Sequence, residues 1–166
     1  MYQHWLTSPG RLEWVKNAPK KGKGGCIFCR IAKGDKKIPS RVLYRNENFL
    51  VIMNIFPYNT GHLQVLPVKH VINLEDMEER QVSGMFVLVK KCMKLLKKVV
   101  QPEGFNVGFN QGGDVAGASI EHLHVHIVPR FRRDFGFMDV ISGTKVLPES
   151  INDTYRGLKK HIKILE

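Results

Sequence analysis

Long hydrophobic runs are missing from this 166-residue chain. No apolar stretch approaches the roughly 20 residues that cross a bilayer, and no short apolar segment of the secretory type opens the chain. The expectation is a cytoplasmic protein without a membrane partner. Cysteine is scarce too. Cys26, Cys29 and Cys92 are too few for the disulfide framework of a small secreted domain, and the first two form a C-x-x-C that needs another explanation. Acidic residues are in deficit: 15 Asp and Glu face 26 Lys and Arg, a formal charge of +11. Such a field favours anionic partners, whether nucleotides, polyphosphates, nucleic acid or phospholipid, and does not choose among them. What is present, 43% hydrophobic and 25% charged residues, is the balance of one folded domain.

Residues 1 to 25, with Pro9, Pro19, Gly22, Gly24, Gly25 and a basic stretch from Lys16 to Lys23, read as an N-terminal arm, and residues 26 to 166 as a single domain. Trp5 and Trp14 suggest that part of the arm packs on the body or on a partner subunit. Strand signals run over Arg41 to Arg45, Phe49 to Asn54, His62 to Leu66, Phe105 to Asn110 and Ile120 to Pro129. Between Asn73 and Val100, the apolar residues Leu74, Met77, Val82, Met85, Val89, Met93, Leu96 and Val100 recur mostly at three- and four-residue steps. That spacing predicts one amphipathic helix with Asn73 as its N-cap. A short strand over Phe137 to Ile141 and a helix from about Pro148 complete the reading. Strands grouped around one long helix, without βαβ alternation, predict an α+β domain with a largely antiparallel sheet.

In His122-Leu123-His124-Val125-His126-Ile127-Val128 three histidines alternate with aliphatic residues. On a strand, period two puts the imidazoles on one face about 6.6 Å apart, while Leu123, Val125 and Ile127 enter the core. Three neighbours on one strand are poorly placed to converge as corners of a tetrahedral metal site by themselves. The motif resembles that of the histidine triad (HIT) family. Likeness in matching order extends through Cys26-Ile27-Phe28-Cys29-Arg30-Ile31, Ile38-Pro39-Ser40, Gly61 to His70 and Gly104 to Asn110. Within the superfamily, the Pro57 to His62 turn, Glu121 to Arg130 and Ser142 to Pro148 look most like the dinucleoside polyphosphate phosphorylases, which often carry Trp where this chain has Phe131.

The resemblance implies a HIT-like fold, a two-fold dimer and a set of roles. His124 matches the family's nucleophile, which attacks the α-phosphorus of a nucleotide and forms a nucleotidyl-histidine that water or another acceptor resolves. A near-neutral imidazole suits both attack and departure. His126 matches the donor to a non-bridging phosphate oxygen, and Ser119 the serine near the leaving group. Asn110 and the loop amides around Gly117 and Ala118 would line the phosphates. Asn54, where some relatives carry Asp, would bind the ribose hydroxyls, eight residues before His62. Phe28, Ile31, Ile38 and Met53 match the slot for the base.

The C-x-x-C supplies two thiolates from one turn, and two distant histidines would complete a Cys2His2 tetrahedron typical of structural zinc. Zinc-bearing triad proteins use residues that match Cys26, Cys29, His70 and His122. Two buried free thiols are the alternative; a redox pair would want a thioredoxin-like context that is absent here. Lys90, Lys91, Lys94, Lys97 and Lys98 read as a solvated helix face or as an attractor of polyphosphate or RNA. The function expected is cleavage of a nucleoside polyphosphate, with phosphate or water as acceptor. A non-catalytic nucleotide- or RNA-binding regulator is the other reading.

Overall fold

Two strands of continuous apolar sequence anchor the architecture: β2 (Phe49–Met53) and β3 (Leu63–Pro67) are buried at every position. The computed structural model describes residues 25–118, 120–132 and 134–166, so the expected N-terminal arm, Ser119 and Arg133 lie outside the described residues apart from Gly25. With β1 (Arg41–Arg45), β4 (Gly104–Gly108) and β5 (Val125–Arg130), the strands form one antiparallel sheet in the order β1-β2-β3-β5-β4.

Both faces of the central strands are covered, which explains why β2 reads as an unbroken apolar run rather than an alternating one. On one face Val51, Met53, Leu63, Val65, Val125 and Ile127 pack against the helix α2 (Glu79–Val99) through Met85, Leu88, Val89, Cys92, Leu95 and Leu96. Those helix positions follow the three- and four-residue steps of an apolar stripe. On the other face Leu50, Ile52 and Leu66 meet Phe28, Ile31 and Ala32 of the short helix α1 (Ile27–Ala32), with Ile38 beside them. A helix α3 (Phe137–Ser142) and a C-terminal helix α4 (Ile151–Lys160) follow β5, and Leu158 of α4 joins the core under α2. The N-cap of α4 is Ser150, whose Oγ accepts from the Asp153 N–H at 3.1 Å.

Three expectations are corrected. The long helix begins at Glu79 rather than beside Asn73. Leu74–Asp76 is instead a separate 3-10 turn, and Met77 and Glu78 are extended. The turn is held from outside: Gln111 Oε1 accepts from the Leu74 N–H at 2.7 Å, and Gln111 Nε2 donates to Glu75 at 2.8 Å. Second, residues 137 to 142 are helical, not a strand. Asp139 accepts from the Gly136 N–H at 2.7 Å, closing the N-terminus, and Gly143 adopts φ 59°, the left-handed conformation that ends a helix. Third, β5 begins only at Val125, so His122 and His124 precede the ladder. Pairing with β3 stops at Val65, and beyond it Pro67 has no N–H to offer while its carbonyl is taken by the His122 ring.

Among the described residues no helix is long and apolar enough to cross a membrane. In the lysine run, Lys90, Lys94, Lys97 and Lys98 are exposed, whereas Lys91 Nζ donates to the main-chain oxygens of Leu165 and Glu166.

Candidate active site and metal centre

A sharp turn delivers His62 to the start of β3. Gly61 has φ 79°, and a Cβ there would lie 3.0 Å from Leu96 Cδ2, so the close approach of the turn to α2 needs glycine. The turn closes with the Asn54 N–H on His62 O at 3.0 Å. Within it, the Tyr58 N–H donates to His62 Nδ1 at 3.2 Å, and Asn54 Nδ2 lies 3.4 Å from the same nitrogen. A backbone N–H can only donate, so Nδ1 is the acceptor and the ring proton sits on Nε2. His62 Nε2 in turn lies 2.9 Å from His126 Nδ1, and it donates there. The proton of neutral His126 is thereby fixed on its own Nε2. Burial, with His126 and His124 adding, holds the His62 imidazole down to about 3, so it stays neutral through the physiological range.

His124 is oriented by the backbone. Its Nδ1 lies 2.7 Å from the His122 carbonyl, which only accepts, so Nδ1 carries the proton and Nε2 keeps the lone pair. Burial lowers its pKa, and the bond to the carbonyl opposes that shift without reversing it. Phe28 packs edge-on against the ring at 5.0 Å between centroids, and the ring of His126 lies 4.7 Å away.

Both imidazoles line one open cleft. One side is apolar: Ile27, Phe28, Ile31, Ile52 and Met53. The other is polar, with Asn110, Gly117 and Ala118 beside the histidines and Asn54 nearby. Two expected residues stand behind the lining. Ile38 packs in the apolar cluster with Phe28 and Ile31, and His62 is fully buried behind His126. The side chain of Ser119 is outside the described residues. Sequence reasoning passed over Ser40, Arg41, Tyr58 and Gln64, which also line the cleft. Gln64 carried the clearest signal, a lone amide among Leu63, Val65 and Leu66.

On the far side of His124, the structure gathers Cys26, Cys29, His70 and His122, whose candidate ligand atoms all lie within 4.8 Å of one another. Cys26 is the N-cap of α1 and Cys29 lies in its first turn. His122 Nδ1 is 3.3 Å from Cys26 Sγ, 3.6 Å from Cys29 Sγ and 3.3 Å from His70 Nδ1; His70 Nδ1 is 3.4 Å from Cys29 Sγ. Tetrahedral bonds of about 2.0 to 2.3 Å give ligand–ligand edges of about 3.3 to 3.8 Å, which these four pairs match. The tautomer also fits. His122 Nε2 donates to the Pro67 carbonyl at 2.9 Å, which leaves Nδ1 as a lone pair facing the sulfurs. Burial, then the neighbouring Cys26 sulfur, pushes the Cys29 thiol up to about 11; a dication would reverse that balance by stabilising thiolate. These four residues can hold a metal ion.

The HIT domain profile matches residues 35–133. The AP-4-A phosphorylase of Mycobacterium tuberculosis is 40% identical over 159 residues, 92% of this chain and 81% of that protein. An adenosine 5'-monophosphoramidase of Schizosaccharomyces pombe is 30% identical over 138 residues, 83% of this chain and 98% of the relative. A zinc-bound histidine triad family protein from Mycobacterium smegmatis has the same fold, with a TM-score of 0.67 at 28% identity over 85% of this chain and 95% of that one. With its triad, its fold and these likenesses in agreement, the chain belongs to the HIT family.

Proposed function

We propose that this protein cleaves a nucleoside polyphosphate, most specifically a dinucleoside polyphosphate, at the α-phosphorus through a covalent intermediate on His124. The observation that carries the reading is the pair of complementary tautomers facing one cleft. His124 keeps an Nε2 lone pair, and His126 keeps an Nε2 proton. In the first step the Nε2 lone pair of His124 forms an N–P bond while the P–O bond to the leaving phosphate chain breaks, its electron pair going to the leaving oxygen. In the second, an acceptor oxygen attacks the same phosphorus and the imidazole departs. His126 donates to a non-bridging oxygen, where charge accumulates in both transition states.

The lining residues take the roles expected of them: Asn110 with the amides of Gly117 and Ala118 on the phosphates, Asn54 on the ribose hydroxyls, and Phe28, Ile31 and Met53 around the base, with Ile38 supporting them; Ser119, outside the described residues, is assigned to the leaving group by the resemblance alone. The name of the Mycobacterium tuberculosis relative, AP-4-A phosphorylase, supports phosphate as the acceptor. The test is direct. Diadenosine tetraphosphate incubated with the protein should yield ADP and ATP only when inorganic phosphate is added. Equal turnover without phosphate, yielding AMP and ATP, would assign water as the acceptor.

The metal we assign to the four-ligand site is zinc, in a structural role: bound there, it crosslinks α1 and His70 to the segment just before β5. The ion's contribution to the reaction is confined to holding that segment.

A homodimer is also proposed. Strand β4 is a sheet edge with Val107 exposed, and Phe86 and Val87 are exposed on α2, a surface that pairing with a second copy would cover. Phe135, Phe137, Val140 and Ile141 are exposed as well, and in such a dimer their stretch, Phe131 to Leu147, would reach the partner's nucleotide site. Light scattering should report about twice the 19.0 kDa chain mass at micromolar concentration. A monomer at that concentration would refute the dimer.

A further inference from the structure

Gln64 stands at the centre of the cleft floor. Strand β3 is the middle strand of the sheet, and Gln64 pairs with Ile52 on one side and His126 on the other. Its neighbours Leu63 and Val65 face the core under α2, so Gln64 shares the opposite face with Leu66, where the cleft lies. The residue is only 6% exposed and lines the cleft, and its amide atoms are not among the buried groups left without a partner. In the ligand-free protein the amide is therefore open to the water of the cleft. A ligand seated on this floor displaces that water, so some part of it must take up the amide's hydrogen bonds.

Position decides which part of the ligand that is. Ile52 belongs to the apolar side of the cleft, whereas His126, the proposed phosphate donor, lies on the polar side. Resting on the nucleotide reading proposed above, a base in the apolar slot and an α-phosphorus at His124 leave the sugar over Gln64. We infer that Gln64 binds the sugar of the nucleotide, its amide N–H donating to a sugar oxygen and its carbonyl accepting from a hydroxyl. Gln64 is thus a second sugar-recognition residue beside Asn54, on the neighbouring strand's end.

The experiment compares wild type with Gln64→Leu, and with Gln64→Met as a second variant should the first fold poorly. Adenosine, AMP and ribose 5-phosphate are titrated by NMR; all three contain the sugar, and each lacks or has a different additional part. Affinity for all three should fall by about five- to tenfold, the size of one or two ordinary hydrogen bonds. The thermal midpoint of the ligand-free variant should be unchanged or higher. Undiminished affinity, a loss that spares ribose 5-phosphate and so indicates the base, a loss that spares adenosine and so indicates the phosphate, or a marked fall in the ligand-free midpoint would each overturn the assignment. If wild type bound none of the three, the nucleotide reading itself would fall, and Gln64 with it.

Discussion

His124→Ala is expected to lose turnover by about 10⁴-fold or more, because removing a nucleophile deletes the step and not merely one of its stabilising contacts. The magnitude follows from what remains. Without the Nε2 lone pair, water must attack the α-phosphorus directly, with only His126, Asn110 and the loop amides to stabilise charge. The variant should still fold. His124 donates one hydrogen bond, to the His122 carbonyl, and its ring borders the cleft, so its loss costs on the order of 1 kcal/mol before water fills the space. AMP binding should stay close to wild type, since the base slot and the phosphate loop are untouched. The measurement is kcat with diadenosine tetraphosphate and phosphate, alongside a thermal midpoint and an AMP titration. Activity within about tenfold of wild type would exclude the covalent role.

Removal of one ligand from the proposed zinc site should have the largest effect on stability. Elemental analysis of the wild-type protein is expected to find about one zinc per chain, and Cys26→Ser should remove most of it. The ion would join residues distant in sequence: Cys26 and Cys29 at the start of α1, His70 after β3, and His122 just before β5. Loss of that crosslink should lower the thermal midpoint by about 10 °C, corresponding to roughly 3 to 4 kcal/mol at about 2 to 4 °C per kcal/mol for a chain of this size. Activity should fall as well, through displacement of His124 next to an unsupported His122. Zinc at one per chain in a protein lacking both cysteines would sink the assignment of these ligands.

Those two sites were legible in the sequence for different reasons. The triad is visible because period two is strict and each intervening residue is aliphatic; Leu123, Val125 and Ile127 are fully buried, as that alternation implies. Cys26, Cys29, His70 and His122 lie up to 96 residues apart, and only their resemblance to a known ligand pattern joined them before the fold did. Elements fixed by tertiary contacts were the ones misjudged. Nothing local in Asn73 to Glu78 tells of Gln111 bonding the Leu74 N–H, and that contact is what separates the 3-10 turn from α2. Phe137 to Ile141 reads from the sequence as a short strand, yet the Asp139 cap and Gly143 make a helix whose apolar side chains are exposed. The tautomers of His62, His124 and His126 depend on a backbone N–H, a carbonyl and a ring nitrogen brought together only by folding.

The covalent intermediate is tested most directly by rapid quenching. Wild-type protein mixed with diadenosine tetraphosphate labelled at the α-phosphorus, quenched in alkali within the first turnover and digested, should yield one labelled peptide. That peptide should contain His124 and carry an acid-labile adenylyl group, and the adduct should disappear on a chase with phosphate at a rate no slower than turnover. Product formation over many turnovers with no labelled peptide, or a label on any residue other than His124, would contradict nucleotidyl transfer through this histidine.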